Sequence, residues 1–336
     1  MTIADVAARA GVDRSVVSRV LSGAATLNVR EATRARVLQI TRELNYQPNA
    51  MARGLRTSKA GAYGLLIPDF ENPIYASIIK GAERAAASVS SVLLTGSSAD
   101  NGLRTQGFLD ALGQGRVDGL LLAGDHGFES ILDQLRTLNL PWLMLNRRSS
   151  GVERSIILDD ERASELAVAH LVHLGHKRIA HLAGPEWADT ATRRRNGYVK
   201  ALAQAELSVE RSLIETSDYT SFGGSAGMAR LLERQTPTAV FVANVASAIG
   251  AMHAIKEAGL RIPQDISVVA VHDLPLACYL DPPLTTVRMP LEKLGQRGVE
   301  RLFGAAADEP ISEILREPME LIVRRSSAPP KGDHEF

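Results

Sequence analysis

From Tyr63 onward the chain alternates short, uniformly apolar runs with segments of helix length, and this alternation leaves few folds open. Residues 63–69 (YGLLIPD), 90–96 (SSVLLTG), 118–124 (DGLLLAG) and 141–146 (PWLMLN) read as strands, with helices expected over about 73–89, to about 113 and to about 138. A second series runs through 155–160 (SIILDD), 177–184 (KRIAHLAG), a strand near 212–216, 238–244 (TAVFVAN) and 266–271 (ISVVAV). Helices are expected between these strands, to about 174, to about 205, from about 222 and to about 258. Runs that are apolar at every position are buried on both faces, the condition of parallel sheets covered by helices. Two such series predict two doubly wound subdomains. Ligands of such folds bind outside the carboxyl ends of the strands.

Length agrees with this division, since 336 residues at roughly 150 per domain make two or three units. The single cysteine, Cys278, excludes an internal disulfide and any cysteine pair for a metal. No apolar run approaches the roughly 18–20 residues that span a bilayer, and residues 1–12 (MTIADVAARAGV) lack the apolar core of a signal peptide. A soluble, cytoplasmic protein with no membrane contact is expected.

The first 60 residues are different in kind. They carry ten Lys/Arg against four Asp/Glu; the whole chain balances at 38 of each, so the other 276 residues hold 28 basic against 34 acidic. A basic module on an acidic body is the electrostatic footprint of a nucleic-acid binder. Thr2 can cap a helix whose apolar residues Ile3, Val6, Ala7 and Ala10 share one face, and Gly11 ends it. Asp13 can cap a second helix with Val17, Val20 and Leu21 inward. Two helices joined by a short Gly-containing turn form a helix-turn-helix, which leaves Arg14, Ser15, Val16, Ser18 and Arg19 for the major groove. Arg reads guanine bidentately, Ser donates or accepts, and a Val methyl can rest on a thymine methyl. A third helix, about Arg30 to Leu44, turns Val37, Ile40 and Leu44 inward and carries Arg30, Arg34, Arg36 and Arg42 on its polar side, where a solvated face is the plainer reading of any one arginine.

Residues 2–23 (TIADVAARAGVDRSVVSRVLSG) and 33–57 (TRARVLQITRELNYQPNAMARGLRT) resemble the DNA-binding headpiece and hinge of the LacI/GalR family of bacterial repressors. The resemblance implies base reading by Arg14, Ser15 and Arg19, and phosphate contacts from residues such as Arg30 and Arg34. It implies a hinge containing Asn49, Ala52 and Leu55, with Leu55 as a minor-groove wedge. Asp13 stands where the family usually has serine, and so does Arg30; Gly54 inside the hinge costs about 1 kcal/mol of helix propensity, which would couple hinge folding to DNA. Further markers, 171–185, 237–244, 257–269 and 281–295, extend the resemblance from about Gly64 to Arg325.

That resemblance implies an α/β architecture: an all-α headpiece (1–46), a hinge (47–60), and a two-lobed core (61–325) of periplasmic-binding-protein type. Its first lobe would comprise about 61–157 and 287–317, its second about 158–286 and 318–325, before a disordered tail, 326–336. By position, the effector cleft would use Phe70, Asn72, Ile74, Asn146, Arg194, Tyr219, Asn244, His272 and Asp273, although each could equally be structural. Asn-Val at 244–245 and Val-His-Asp at 271–273 depart from the sugar-binding pattern. His272 can carry positive charge, which leaves a sugar acid or sugar phosphate open beside a neutral sugar.

His170, His173 and His176 straddle a helix end without a fourth ligand, 223–227 (GGSAG) lacks dinucleotide-fingerprint spacing, and no nucleophile elbow or P-loop occurs in context. No metal, cofactor or catalysis is expected. A C-terminal coiled coil is absent, favouring a homodimer on a palindromic double-stranded operator with a small-molecule effector. The alternative is a solute-binding receptor or sugar-processing enzyme on the same body. It would require an export signal, or a nucleophile or acid/base pair.

Overall fold

Thr2 starts the first helix, α1 (Ile3–Ala10), through a reciprocal capping box: the Asp5 amide donates to its hydroxyl, and its own amide donates to the Asp5 carboxylate at 2.7 Å. Gly11 closes α1 in the left-handed region, φ 63°. Asp13 caps α2 (Arg14–Leu21), accepting from the Ser15 amide at 2.7 Å, and α3 (Glu31–Glu43) completes the bundle. Val6, Ala7, Ala10, Val17, Val20, Val37 and Ile40 form its core. The computed structural model describes residues 1–21, 29–46, 59–98, 107–110, 112, 116–123, 135, 140–149, 151–304 and 309–331. Asn49, Ala52, Leu55 and most of the expected hinge lie outside them, as do most of the helices expected to end near 113 and 138. Contacts divide the chain into Met1–Ala60 and Gly61–Phe336.

The larger unit holds two six-stranded sheets. The first has β1 (Ala62–Ile67), β2 (Val92–Ser97), β3 (Leu120–Leu122), β4 (Trp142–Leu145), β5 (Arg154–Leu158) and β11 (Ile311–Leu315), in the order β11-β5-β4-β3-β1-β2 and parallel throughout. The second has β6 (Ile179–Ala183), β7 (Ile214–Thr216), β8 (Ala239–Val242), β9 (Ser267–Val271), β10 (Thr285–Arg288) and β12 (Glu320–Ile322), in the order β12-β10-β9-β8-β6-β7. Helices α4 (Ile74–Ser88) and α9 (Leu291–Leu302) cover the first; α5 (Asp160–His173), α6 (Asp189–Gln204), α7 (Ser221–Arg234) and α8 (Val245–Glu257) cover the second.

The second sheet departs from the all-parallel expectation at one edge, where β12 runs antiparallel to β10, Val287 opposite Leu321. The cause is connectivity. The carboxyl ends of the strands in both sheets face a common cleft, so a chain entering the second sheet from that side, after β11, must run against its neighbours. The tail also departs from expectation through residue 331. Ser326 is fully buried, donates to Val268 O at 2.6 Å and accepts from the Thr285 amide, while His176 and Ser267 bond Ala328 O. Proline-rich, polar composition predicts disorder only where backbone groups lack partners, and here Ser267 and Val268 at the start of β9 supply them.

Helices pair at glycines. A Cβ at Gly81 of α4 would lie 1.8 Å from Glu292 O of α9, and one at Gly295 of α9 would lie 1.9 Å from Ile78 O of α4. Lys80 and Arg84 close the same seam on Glu292. Backbone cannot retreat as a flexible side chain does, so Gly295→Ala should lower stability by about 1–3 kcal/mol. Urea unfolding checks this, and an unchanged midpoint would mean the seam is looser than described.

Candidate functional site

On the headpiece, Arg14, Ser15 and Arg19 are exposed along the outer face of α2, opposite the Val17 and Val20 stripe. The Arg19 side chain lies back on Ser15, its Nε donating to the carbonyl at 3.3 Å. Val16 and Ser18 are half-buried, and Val16 packs partly against the headpiece core, which reduces the methyl surface expected to meet a base. Arg30 is exposed at the start of α3 without capping it through its side chain, and Arg34 is half-buried one turn later.

In the larger unit the strand ends enclose a cleft of about 570 Å³. The first lobe contributes Pro68 and Asp69 after β1, Glu71, Asn72 and Tyr75 around the start of α4, and Arg147 after β4. The second contributes Trp187 before α6, Asp218 to Phe222 from the β7–α7 turn into the start of α7, and Ala246, Ile249 and Leu276. Arg147 reaches across, its guanidinium 4.9 Å from the Trp187 ring centroid and 6.0 Å from that of Tyr219. Tyr219 lies flat over Gly184, where a Cβ would sit 2.1 Å from the ring, and its hydroxyl meets Thr190 Oγ1 at 3.0 Å.

Of the nine residues assigned to the cleft by position, only Asn72 and Tyr219 line it. Phe70 is exposed and does not line it; Ile74 is core. The other five lie behind the wall, Asn146, Arg194, Asn244 and His272 buried and Asp273 partly buried. Asn244 caps α8, accepting from the Ser247 amide and donating to Tyr219 O. Asp273 turns to the lobe crossings, accepting from Thr286 Oγ1 at 2.7 Å and pairing with Arg288 and Arg324. Arg194, expected to offer its fork to a ligand, gives it to the protein: Nε and Nη2 to Asp160 at 2.7 Å, Nη1 to Ala243 O at 2.7 Å. Its Nη2 also reaches His272 Nε2 at 3.3 Å. Position along the chain identified this neighbourhood, while side-chain direction, set by the strand-end turns, decided which residues face the opening. Three of those turns hold non-glycine residues in the left-handed region, Asn146 (φ 68°), Tyr219 (φ 71°) and His272 (φ 76°). Such conformations cost about 1–3 kcal/mol each and gather at functional sites.

Sequence reasoning missed Arg147, Trp187, Asp218 and Phe222. Trp187 and Phe222, at 46% and 84% exposed, are the kind of apolar side chain that a folded surface rarely shows without use, but exposure is not readable from sequence.

The charge of this region also differs from expectation. A guanidinium only donates, so His272 Nε2 accepts, and the imidazole is neutral with its proton on Nδ1. Burial, reinforced by Arg194, holds its pKa down to about 3 from an ordinary 6.5. His272 therefore presents no cation to a ligand. Asp160, fully buried, is kept ionised against burial by Arg194 and Arg193. His181, stacked between Tyr198 and Phe241, is held by burial at about 4. Both histidines bind protons less readily folded than unfolded, so their stabilisation is complete above about pH 6.5 and falls as acidification proceeds. Between pH 6.5 and 4.5 each should steepen the loss by about 1.4 kcal/mol per pH unit at most. His272→Gln should flatten the urea-midpoint profile in that window, and a profile identical to the parent's would exclude a neutral buried His272.

Comparison with known proteins accords with this geometry. Residues 2–49 match the family described as bacterial regulatory proteins, lacI family, and residues 168–327 a periplasmic binding protein-like domain. The HTH-type transcriptional repressor CytR of Escherichia coli (strain K12) is 33% identical over 97% of this chain and 96% of its own length. The HTH-type transcriptional repressor PurR of Proteus mirabilis (strain HI4320) is 34% identical over 97% of each. The solved lac repressor dimer bound to operator and the anti-inducer ONPF superposes with a TM-score of 0.83 at 31% identity, covering 98% of this chain and 99% of that one. A three-helix headpiece with an exposed second helix, two sheets facing one cleft, and full-length likeness to these repressors place the chain in the lacI family of bacterial regulatory proteins.

Proposed function

We propose that the chain is a cytoplasmic transcriptional repressor, not an enzyme, that binds an inverted-repeat operator as a homodimer, with operator affinity set by a small molecule in the cleft. The observation carrying this reading is the exposed Arg14, Ser15 and Arg19 face of α2 on a chain that also holds a ligand-sized cleft. Two-fold protein symmetry suits an inverted repeat, and a contact census on α2 of two arginines and a serine suits base edges. The working division is the headpiece 1–46 with phosphate anchors Arg30 and Arg34 and a further DNA contact from Thr2, the hinge 47–60 with Asn49, Ala52 and Leu55, and two lobes joined by three crossings. Relatives carrying the names CytR and PurR are repressors, the lac repressor structure holds operator, and a related regulator, CelR, was solved with cellobiose.

The cleft favours a neutral polyhydroxylated ligand over a sugar acid or phosphate. Among the described residues three carboxylates line it, Asp69, Glu71 and Asp218, against one guanidinium, Arg147, which already lies over Trp187. Carboxylates accept from hydroxyls and repel anions, and Trp187, Tyr219 and Phe222 offer apolar faces to a ring. Asn72 and Tyr219 would touch the ligand, with Asn146, Arg194, Asn244, His272 and Asp273 holding the wall behind it.

A thermal-shift series of neutral sugars and nucleosides against sugar acids and sugar phosphates should raise the melting temperature only with neutral members, and Trp187→Ala should weaken the shift. Stabilisation confined to the anions would reverse the charge argument. In gel shifts on DNA upstream of the protein's own gene, Arg19→Ala should cost about 1–3 kcal/mol while random-sequence binding holds steady. Equal losses on both DNAs would reduce Arg19 to a phosphate contact.

A further inference from the structure

Arg193 stands next to Arg194 on α6, a helix of the second lobe, yet its guanidinium serves the first. Nη1 donates to Leu158 O at 2.7 Å, and Nη2 to Asn146 O at 2.9 Å. Leu158 ends β5 and Asn146 follows β4, adjacent strands of the first sheet. Nη1 also pairs with Asp160, and Nε donates to Asp189 Oδ2 at 3.1 Å. Asp160 opens α5, directly after the first passage of the chain from one lobe to the other.

We propose that Arg193 is an interlobe clamp, a positioning residue that fixes the angle between the lobes at the cleft floor. The two arginines on Asp160 divide the work by direction. Arg194 stays within the second lobe, on Ala243 O and His272, and by itself supplies the counter-charge that a buried carboxylate requires. A second arginine, its side chain 16% exposed, adds a desolvation cost that charge balance does not call for. What offsets the cost is the pair of strand-end carbonyls, which belong to the other lobe. Rotation about the Leu158–Asp160 link moves both carbonyls relative to α6, so Arg193 makes its full set of bonds at one interlobe angle.

The clamp also orients two buried polar groups. Its bond to Asn146 O holds a residue already in the left-handed region, whose Oδ1 has no hydrogen-bond partner among the described residues. Asp189 Oδ1, on the second residue that Arg193 orients, is likewise unpartnered. Arg193 thus orients two buried acceptors, one from each lobe, neither of which lines the cleft. A ligand that touches residues of both lobes would bias the same interlobe equilibrium that the clamp sets.

The proposal rests on the reading of the cleft as a regulatory ligand site, and the experiment separates the two. Cys278 is the only cysteine and is exposed on the second lobe. With Glu71→Cys at the first-lobe rim, the full-length chain takes one spin label per lobe, and dipolar spectroscopy reads their separation without ligand or DNA. The parent should give one dominant separation, Arg193→Gln a shift to longer, broader distances, and Arg193→Lys an intermediate shift, since an ammonium keeps the charge but loses the two-carbonyl fork. A folded Arg193→Gln with the parent's distribution overturns the clamp. If that variant does not fold, Arg193→Lys decides alone, and an unchanged distribution there is equally fatal. Failure to find a ligand or an operator would sink the regulatory reading and leave the distance result standing.

Discussion

One buried carboxylate organises the larger unit. Asp160 is fully buried at the point where the chain first leaves one sheet for the other, and an isolated charge there would cost several kcal/mol. Its compensation comes from consecutive arginines on α6 that diverge, Arg193 toward the strand ends of the first lobe and Arg194 toward those of the second. The same ion pairs therefore solve a solvation problem, tie α5 to α6, and fix where the two halves meet. The cleft exists in its present shape because this floor is polar, paired and rigid, and its walls are loops after strands.

Most of the fold was legible because its signals are collective. Nine runs read as strands, from 63–69 to 266–271, appear as strands near the expected places, since burial on both faces, which most of them share, leaves an apolar run that no single substitution hides. What escaped were features fixed by partners distant in sequence. Nothing in residues 326–331 announces that Ser326 will satisfy Val268 and Thr285, and nothing in 320–322 announces an antiparallel edge.

The site was legible by neighbourhood and not by direction. Asn146, Arg194, His272 and Asp273 are where the strand-end rule puts them, yet Arg194 and Asp273 spend their side chains on the protein, and Asn146 and His272 are buried behind the wall. Their neighbours in chain or space, Arg147, Trp187 and Asp218, face the opening instead. The strand-end turns leave regular geometry at Asn146, Tyr219 and His272, so strand alternation no longer tells which side chain faces the opening. The positive charge that His272 could have carried is absent for a related reason: burial beside Arg194 makes the neutral imidazole the stable form, and only the fold reveals that neighbour.

The two edge strands β11 and β12 carry a consequence for how the chain is made. Each sheet is finished by a strand that lies within residues 311–322, and the second is then sealed by the segment through Ala328. Emerging from the ribosome, the headpiece has all of its core within residues 1–46 and is free to fold first. Both lobes must wait, each missing an edge, until nearly the whole chain has been synthesised. Completion of both sheets therefore waits on the same short stretch of chain, residues 311–322.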